Sequence, residues 1–231
     1  MKCRTEPGIP LFYRYRLCLA VFLTIRHEKV FSMSLLFSSY TLASPKGDLT
    51  LANRIVVAPM CQYSAVDGRA MDWHLMHWGN LLNSGAGLFM IEATAVTAQG
   101  RITPACLGLW DDATEAALKD KLNRARALAP ALPVFIQLSH AGRKASSATP
   151  WEGGQLLAEE QGGWAICGPS EIPQLPNERT PHSMSTTELQ AMIDAFVTAA
   201  LRADRIGIDG VELHCAHGYL LHQFLSPIAN Q

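Results

Sequence analysis

The feature that most constrains the fold is a repeated alternation of short apolar segments with longer amphipathic ones. The apolar segments, which predict buried strands, are residues 54–60, 87–94, 133–139 and 210–215. Segments with helical periodicity lie between them, at residues 72–85, 111–130 and 185–207. Asp72 is the expected N-cap of the first helix, and Ser185 with Glu188 forms a capping box in the third. This alternation is typical of parallel βα units, in either a doubly wound sheet or a (β/α)8 barrel.

The residues that end the strands favour the barrel. Each strand runs into a polar or reactive cluster: "APMCQY", "IEATAV", "QLSHAGRK" and "ELHCAHGY". In a barrel, catalytic groups come from the carboxyl ends of several strands. No glycine-rich G-x-G-x-x-G follows the first strand, which argues against a dinucleotide-binding domain. We therefore predict an α/β fold, the N-terminal half of a (β/α)8 TIM barrel, with an N-terminal β-hairpin over residues 40–51.

Composition excludes several classes of protein. With 48% hydrophobic residues and a net charge of −1, the chain is too apolar for disorder and has no basic block for binding nucleic acid. Its six cysteines are scattered without a Cys-x-x-Cys pair, which disfavours a disulfide framework or a structural zinc site. A reducing, cytoplasmic location is the corresponding prediction.

The first residues differ from the rest. An apolar run at residues 17–25 is flanked by arginines, is too short to span a bilayer, and is not followed by a signal-peptide cleavage site. A start codon set too far upstream, a membrane-associating segment and a poor export signal are the competing interpretations, of which we favour the first. We assign residues 1–32 to an atypical extension and residues 33–231 to a partial barrel domain, without stable membrane association.

Two histidines after the last predicted strand are candidate functional residues. His214 and His217 are three residues apart at a strand-to-loop transition, so both can face one cavity. They could hold a carbonyl oxygen as paired donors, bind a metal, or serve packing alone. A zinc site would need a third close ligand, which the sequence does not supply. Gln137 and Cys61 have a structural alternative too, as a loop-bonding amide and a buried thiol.

From Met33 to Gln231 the chain resembles the old yellow enzyme family of FMN-dependent ene-reductases, and within it the xenobiotic-reductase-like subgroup. The resemblance lies in "LANRIVVAPMCQYS", "EATAVTAQGRITP", "QLSHAGRKAS" and "ELHCAHGYLLHQFLSP". It implies an oxidoreductase with FMN as cofactor and NADPH or NADH as hydride donor. By this resemblance, the flavin would be lined by Ala58, Pro59, Met60, Cys61, Ala93 and Gln137.

The resemblance also implies a reaction and its residues. Activated alkenes such as α,β-unsaturated carbonyl compounds would be the small-molecule partners, reduced in a ping-pong sequence. His214 and His217 would clamp the substrate carbonyl, and Tyr219 would donate the proton. Tyr63 and Lys144 would bind substrate, and no metal is expected. Trp151 could wall the pocket or cap the core, whereas the pair His74 and His77 is interpreted as structural.

The printed sequence ends at "SPIANQ", where the resemblance implies four further βα units and the FMN phosphate site. Two alternatives to an active enzyme follow. The chain could be an inactive truncated remnant or an interaction fragment, or it could regain a barrel by pairing with a second half. Homo-oligomerisation is a separate expectation. A metal-dependent barrel hydrolase is the other enzyme class, and it predicts bound zinc without flavin.

Overall fold

The computed structural model describes residues 34–44, 47–129 and 131–231, of which Leu35–Gln231 form one compact unit. The predicted extension over residues 1–32 lies outside the described residues. A short 3-10 turn at Leu35–Phe37 precedes strands β1 (Tyr40–Leu42) and β2 (Leu49–Leu51). These two strands pair antiparallel, with Tyr40 opposite Leu51, which confirms the predicted hairpin.

The elements that follow alternate between strand and helix. In chain order they are β3 (Val56–Val57), α1 (Asp72–Leu82), β4 (Leu88–Ala95), α2 (Asp112–Ala127), β5 (Val134–Ser139), β6 (Cys167–Gly168), β7 (His182–Ser183), α3 (Thr186–Arg205), β8 (Gly210–Leu213) and α4 (Leu220–Leu225). Further 3-10 turns lie at Ala98–Gly100, Gly142–Lys144, Pro150–Glu152 and Glu159–Gln161.

Four parallel strands form the main sheet, in the order β3-β4-β5-β8. Each of these strands lies beside the next strand of the same sheet along the chain, and a helix lies in each crossover, as in half of a (β/α)8 barrel. Strands β6 and β7 form a separate two-stranded parallel pair inside the long segment between β5 and α3. The predicted half-barrel is therefore confirmed.

The core lies between the sheet and the three long helices. Alternate side chains of β4 and β5 meet the buried faces of α1, α2 and α3, since successive residues of a strand point to opposite faces. The largest members of this core include Trp78, Phe89, Ile91, Leu118, Leu122, Ile136 and Leu138. Fully burying a side chain of this size contributes about 1.5–3 kcal/mol. The opposite face of the sheet, with Leu88, Met90 and Phe135, borders an apolar cavity of about 550 Å³.

Two local predictions need correction. The first strand is regular only at Val56–Val57, because the chain beyond it leaves the sheet and turns along a cavity described below. The N-cap of α1 is Met71 rather than Asp72, since the Met71 N–H donates to Nδ1 of His74 at 3.0 Å. Asp72 instead accepts a hydrogen bond from Lys121 of α2 at 2.8 Å.

The capping box of α3 is present as predicted. The Ser185 N–H donates to the Glu188 carboxylate at 2.8 Å, and the Glu188 N–H donates to the Ser185 hydroxyl at 3.3 Å. None of the helices in the described part of the chain has the length and apolar character that a bilayer crossing requires.

Candidate active site

The carboxyl ends of the four sheet strands surround one cavity of about 430 Å³, which is within the usual size range of ligand pockets. Its lining consists of Ala58, Pro59, Cys61, Tyr63, Ala93, Gln137, Glu212, His214, His217 and Tyr219. The structure thus brings together the predicted site residues with two exceptions, Met60 and Lys144. The Met60 side chain is exposed and lies outside this lining.

One wall of the cavity carries small side chains. Ala58 and Pro59 directly follow β3, and Ala93 lies near the end of β4. Side chains this short leave the backbone accessible, so a flat aromatic group can approach closely. The wall therefore fits a planar ring system.

Gln137 supplies an amide with a defined orientation. The parallel register of β5 and β8 sets Gln137 beside Glu212, and the Gln137 Nε2 donates to the Glu212 carboxylate at 2.6 Å. The Gln137 oxygen remains as an acceptor, and the second amide hydrogen remains as a donor. Sequence reasoning missed Glu212, although a carboxylate inside the apolar segment "GVELHC" was an available signal.

The side chain of His214 is buried and neutral. Its backbone N–H donates to Leu138 at 2.9 Å, which carries the β5–β8 pairing one residue further. Its Nδ1 accepts from the Ala216 N–H at 3.2 Å, so the ring proton of the neutral form resides on Nε2. Burial and the neighbouring His217 lower the pKa of His214, which favours this neutral form.

His217 occupies the left-handed region, with φ of +56°. The Lys144 ammonium donates a hydrogen bond to the His217 carbonyl at 2.9 Å, which helps to hold that conformation. The buried Gln223 donates to the next carbonyl, that of Gly218, at 2.7 Å. Hydrogen bonds from Lys144 and Gln223 therefore hold the loop that carries His217. Neither residue lines the 430 Å³ cavity.

Lys144 instead borders a neighbouring cavity of about 340 Å³, which also contacts Tyr63 and Tyr219. Its ammonium lies 5.2 Å from the centre of the Tyr219 ring. A substrate-binding role for Lys144 stays a prediction.

Tyr219 completes a cluster of three rings. Its ring centre lies 4.8 Å from that of His214 and 6.3 Å from that of His217, and the two histidine rings are 5.0 Å apart. Burial, followed by the nearby Cys61 and Tyr63, raises the pKa of Tyr219 well above its usual value. The phenol therefore keeps its proton at neutral pH. This cluster can donate hydrogen bonds to an oxygen and hold a transferable proton beside it.

Tyr63 and Cys61 come from the segment after β3. Burial raises the pKa of Tyr63 to about 12, and the centres of the Tyr63 and Trp151 rings lie 5.4 Å apart with the rings nearly perpendicular. Trp151 is 69% exposed, so the alternative that it caps the core is wrong. Burial also raises the pKa of Cys61, so this residue is a neutral thiol at physiological pH.

The cavity lining does not include His74, Cys215 or His222. His74 is not remote from the strand ends as expected, because it contacts Glu92 of β4, next to the cavity residue Ala93. Cys215 is exposed and outside the cavity lining, and Nδ1 of His222 accepts from the Gly218 N–H at 2.7 Å. Among the described residues, no group of three or more His, Cys, Asp or Glu side chains is arranged to hold a metal ion.

Known proteins with solved structures share this fold. Morphinone reductase superposes with a TM-score of 0.69 at 27% identity, covering 87% of this chain and 53% of its own. One of its solved complexes, covering 86% of this chain at the same identity and TM-score, contains tetrahydroNAD. An old yellow enzyme homologue from Zymomonas mobilis has a TM-score of 0.69 at 23% identity, which supports the fold alone.

Curated relatives agree with the structural neighbours. An NADH:flavin oxidoreductase of Gibberella zeae is 47% identical over 187 residues, covering 79% of this chain and 45% of its own length. NADPH dehydrogenases of Geobacillus sp. (strain WCH70) and Listeria innocua are 38% and 43% identical, and each covers 86% of this chain and 53% of its own. The chain spans about half the length of these relatives. A family of FMN oxidoreductases matches residues 45–231, so this chain belongs to the NADH:flavin oxidoreductase / NADH oxidase family.

Proposed function

We propose that this chain carries the substrate-binding side of an FMN-dependent NAD(P)H oxidoreductase that reduces activated C=C bonds of α,β-unsaturated carbonyl compounds. The nicotinamide and the alkene would use the site in turn, in a ping-pong sequence. FMN, when bound, supplies the hydride. The observation that carries the proposal is the convergence of His214, His217 and Tyr219 beside Gln137 in one cavity.

The cavity residues fit the flavin ring. The small residues Ala58, Pro59 and Ala93 would face the plane of the ring, and the Gln137 amide could pair with its hydrogen-bonding edge. The lining contributed by the described residues contains no Lys or Arg. Positive charge for the FMN phosphate would therefore have to come from outside this lining.

His214 and His217 would hold the substrate carbonyl oxygen. The neutral His214 has an Nε2–H free of the Ala216 contact, and its ring faces His217 at 5.0 Å. Donors aimed at an oxygen that gains negative charge stabilise that charge most where water is excluded. The pair would thereby stabilise the enolate that forms as the alkene is reduced.

Tyr219 would provide the proton for the substrate Cα. Its phenol stays protonated because burial raises its pKa, and its ring lies 4.8 Å from His214. A buried, protonated phenol next to the carbonyl clamp suits a general acid. Tyr63, which also lines the cavity, would bind the substrate.

The decisive experiment combines flavin binding with the two half-reactions. FMN is titrated into the purified chain, the complex is reduced anaerobically with NADPH, and cyclohexenone is added while the visible spectrum is recorded. We expect bound yellow flavin, bleaching, and reoxidation by the enone.

The variant His214→Ala/His217→Ala should keep the bleaching and lose reoxidation by on the order of 10²–10³ per donor. His182→Ala, at an exposed histidine beside Glu188, is the matched control and should behave as wild type. Enone turnover retained in the double variant would show that the clamp assignment is wrong.

A second candidate is an inactive interaction fragment. The apolar face of the sheet borders a cavity of about 550 Å³, and within residues 34–44, 47–129 and 131–231 no strand pairs with the outer edge of β3 or β8. Open edges and apolar faces promote association. A colourless aggregate on size-exclusion chromatography would support this candidate, and a yellow species of defined mass would support the enzyme.

We also propose a cytoplasmic location. Cys61, Cys106, Cys167 and Cys215 are free thiols, and free thiols persist in a reducing compartment.

A further inference from the structure

A carboxylate is buried in the middle of the sheet, directly behind the cavity. Glu92 belongs to β4, a strand in which every residue is buried, and its side chain has only 3% exposure. Burying a charged group is costly unless it is paired or hydrogen-bonded. The partners of Glu92 therefore indicate what the charge does at this position.

One oxygen of Glu92 holds the backbone of the site. Its Oε2 accepts the Gln62 N–H at 2.8 Å. Gln62 lies between Cys61 and Tyr63, which both line the cavity, and Tyr63 has a left-handed φ of +49°. The carboxylate thus bonds the Cys61–Gln62 peptide group, within the short segment that carries two cavity residues.

The other oxygen of Glu92 faces a buried imidazole. Nε2 of His74 lies 3.4 Å from the Glu92 Oε1 without completing a hydrogen bond, and Nδ1 of His74 accepts the Met71 N–H at 3.0 Å. The bond from Met71 directs the ring proton of the neutral form to Nε2, toward the carboxylate. His77 is the other titratable group of α1 near this charge, and burial, the largest influence, lowers its pKa.

We propose that Glu92, which lies against His74, is a positioning residue that fixes Cys61 and Tyr63 at the site through its hydrogen bond to the Gln62 amide. This inference rests on the proposed function only for its relevance to the flavin, because the contacts belong to the chain itself. A structural pair alone would not require charge, since apolar residues of similar volume often stabilise a core as well or better.

The Glu92 charge also affects the pKa of the Cys61 thiol. Burial is the main reason that the pKa of Cys61 is raised, and the charges of Cys106 and Glu92 act in the same direction. Removal of the Glu92 charge should therefore ease ionisation of Cys61 and make it more reactive, since the thiolate is the nucleophile.

The test uses the chain without flavin. N-ethylmaleimide labelling is followed at each cysteine by peptide mass spectrometry, and hydrogen exchange is followed at the Gln62 amide. Glu92→Gln removes the charge but keeps an acceptor, so it should raise the Cys61 labelling rate and leave exchange at the Gln62 amide at the wild-type rate. Glu92→Leu removes both, and it should also accelerate exchange at Gln62.

Cys106 reports general loosening of the structure. It is 2% exposed, so its labelling is limited by access; burial raises its pKa, and the Glu92 charge acts in the same direction. Trp78→Phe, which perturbs the ring packed 5.4 Å from His74 and leaves the Gln62 contact intact, is the matched control. It should not change the ratio of Cys61 to Cys106 labelling.

The inference is overturned if Glu92→Leu leaves exchange at the Gln62 amide at the wild-type rate, or accelerates it only together with a matching rise in Cys106 labelling. Neither result depends on flavin binding. Failure of FMN to bind would count against the proposed function alone, and unchanged exchange at the Gln62 amide would count against this inference alone.

Discussion

Two residues at the site have backbone conformations that their side chains disfavour. Tyr63 has φ of +49° and His217 has φ of +56°, and both line the cavity. Such a conformation costs on the order of 1–3 kcal/mol and persists only where surrounding contacts impose it. Here the Glu92 bond to Gln62 and the Lys144 bond to the His217 carbonyl are such contacts.

The prediction at the scale of single residues concerns Tyr219. Tyr219→Phe removes the proton donor and keeps the ring that packs on His214 at 4.8 Å. After FMN loading, stopped-flow absorbance should show reoxidation by cyclohexenone slowed by on the order of 10²–10⁴, the usual contribution of a general acid. Reduction by NADPH should keep its wild-type rate because it needs no proton from this phenol.

The comparison of the two half-reactions makes the result interpretable. An equal loss in both would indicate damage to flavin binding and would contradict a role in proton donation. Tyr40→Phe, in the hairpin and outside the cavity lining, is the matched control.

At the scale of elements, ion pairs connect helices α2 and α3. Glu115 of α2 accepts hydrogen bonds from Arg205 of α3 at 2.7 and 3.0 Å, and it also pairs with Arg202. These bonds, first that from Arg205, lower the pKa of Glu115. A carboxyl group whose pKa is lower in the folded state stabilises the fold above its unfolded pKa, and the contribution is lost as pH falls through the folded value.

Glu115→Gln should therefore reduce the free energy of unfolding by about 1 kcal/mol at neutral pH. The difference from wild type should shrink once the pH falls below about 4, where the unfolded carboxyl also binds its proton. Urea denaturation followed by circular dichroism measures both. Glu160→Gln, at an exposed position between β5 and α3, is the control. A deficit that stayed constant down to low pH would contradict the ionic explanation.

At the scale of the whole molecule, apolar surface is exposed along α3. Ile193, Val197 and Leu201 repeat every four residues, so they share one helix face, and each is more than half exposed. Val211 and Leu213 of the edge strand β8 are also exposed. Apolar patches of this kind promote association in water.

We expect the purified chain to self-associate, and Val197→Lys/Leu201→Lys to increase the monomer fraction in size-exclusion chromatography with light scattering. Leu128→Lys, at an exposed leucine beyond the end of α2, is the control and should elute as wild type. If the double variant and wild type elute alike, the α3 face does not drive association.

Much of the fold could be predicted from local patterns. The helix over Thr186–Arg205 begins at the predicted capping box, because a cap depends on residues three apart. The convergence of Gln137 with His214 was also predictable, since the carboxyl ends of parallel strands meet at one edge of a barrel. The brevity of β3 was not, because it depends on how the chain beyond Val57 packs along the cavity. The cap at Met71 is local, but its acceptor is the imidazole of His74 and not one of the usual capping side chains.

By itself, the sequence determined the order of strands and helices and the residue types at the strand ends, because both follow from periodicity within one segment. Only the tertiary structure decided that Glu212 orients Gln137, that Glu92 holds Gln62, and that Lys144 supports His217. These pairs are 75, 30 and 73 residues apart along the chain. Such contacts depend on strand register and loop packing, which no local pattern specifies.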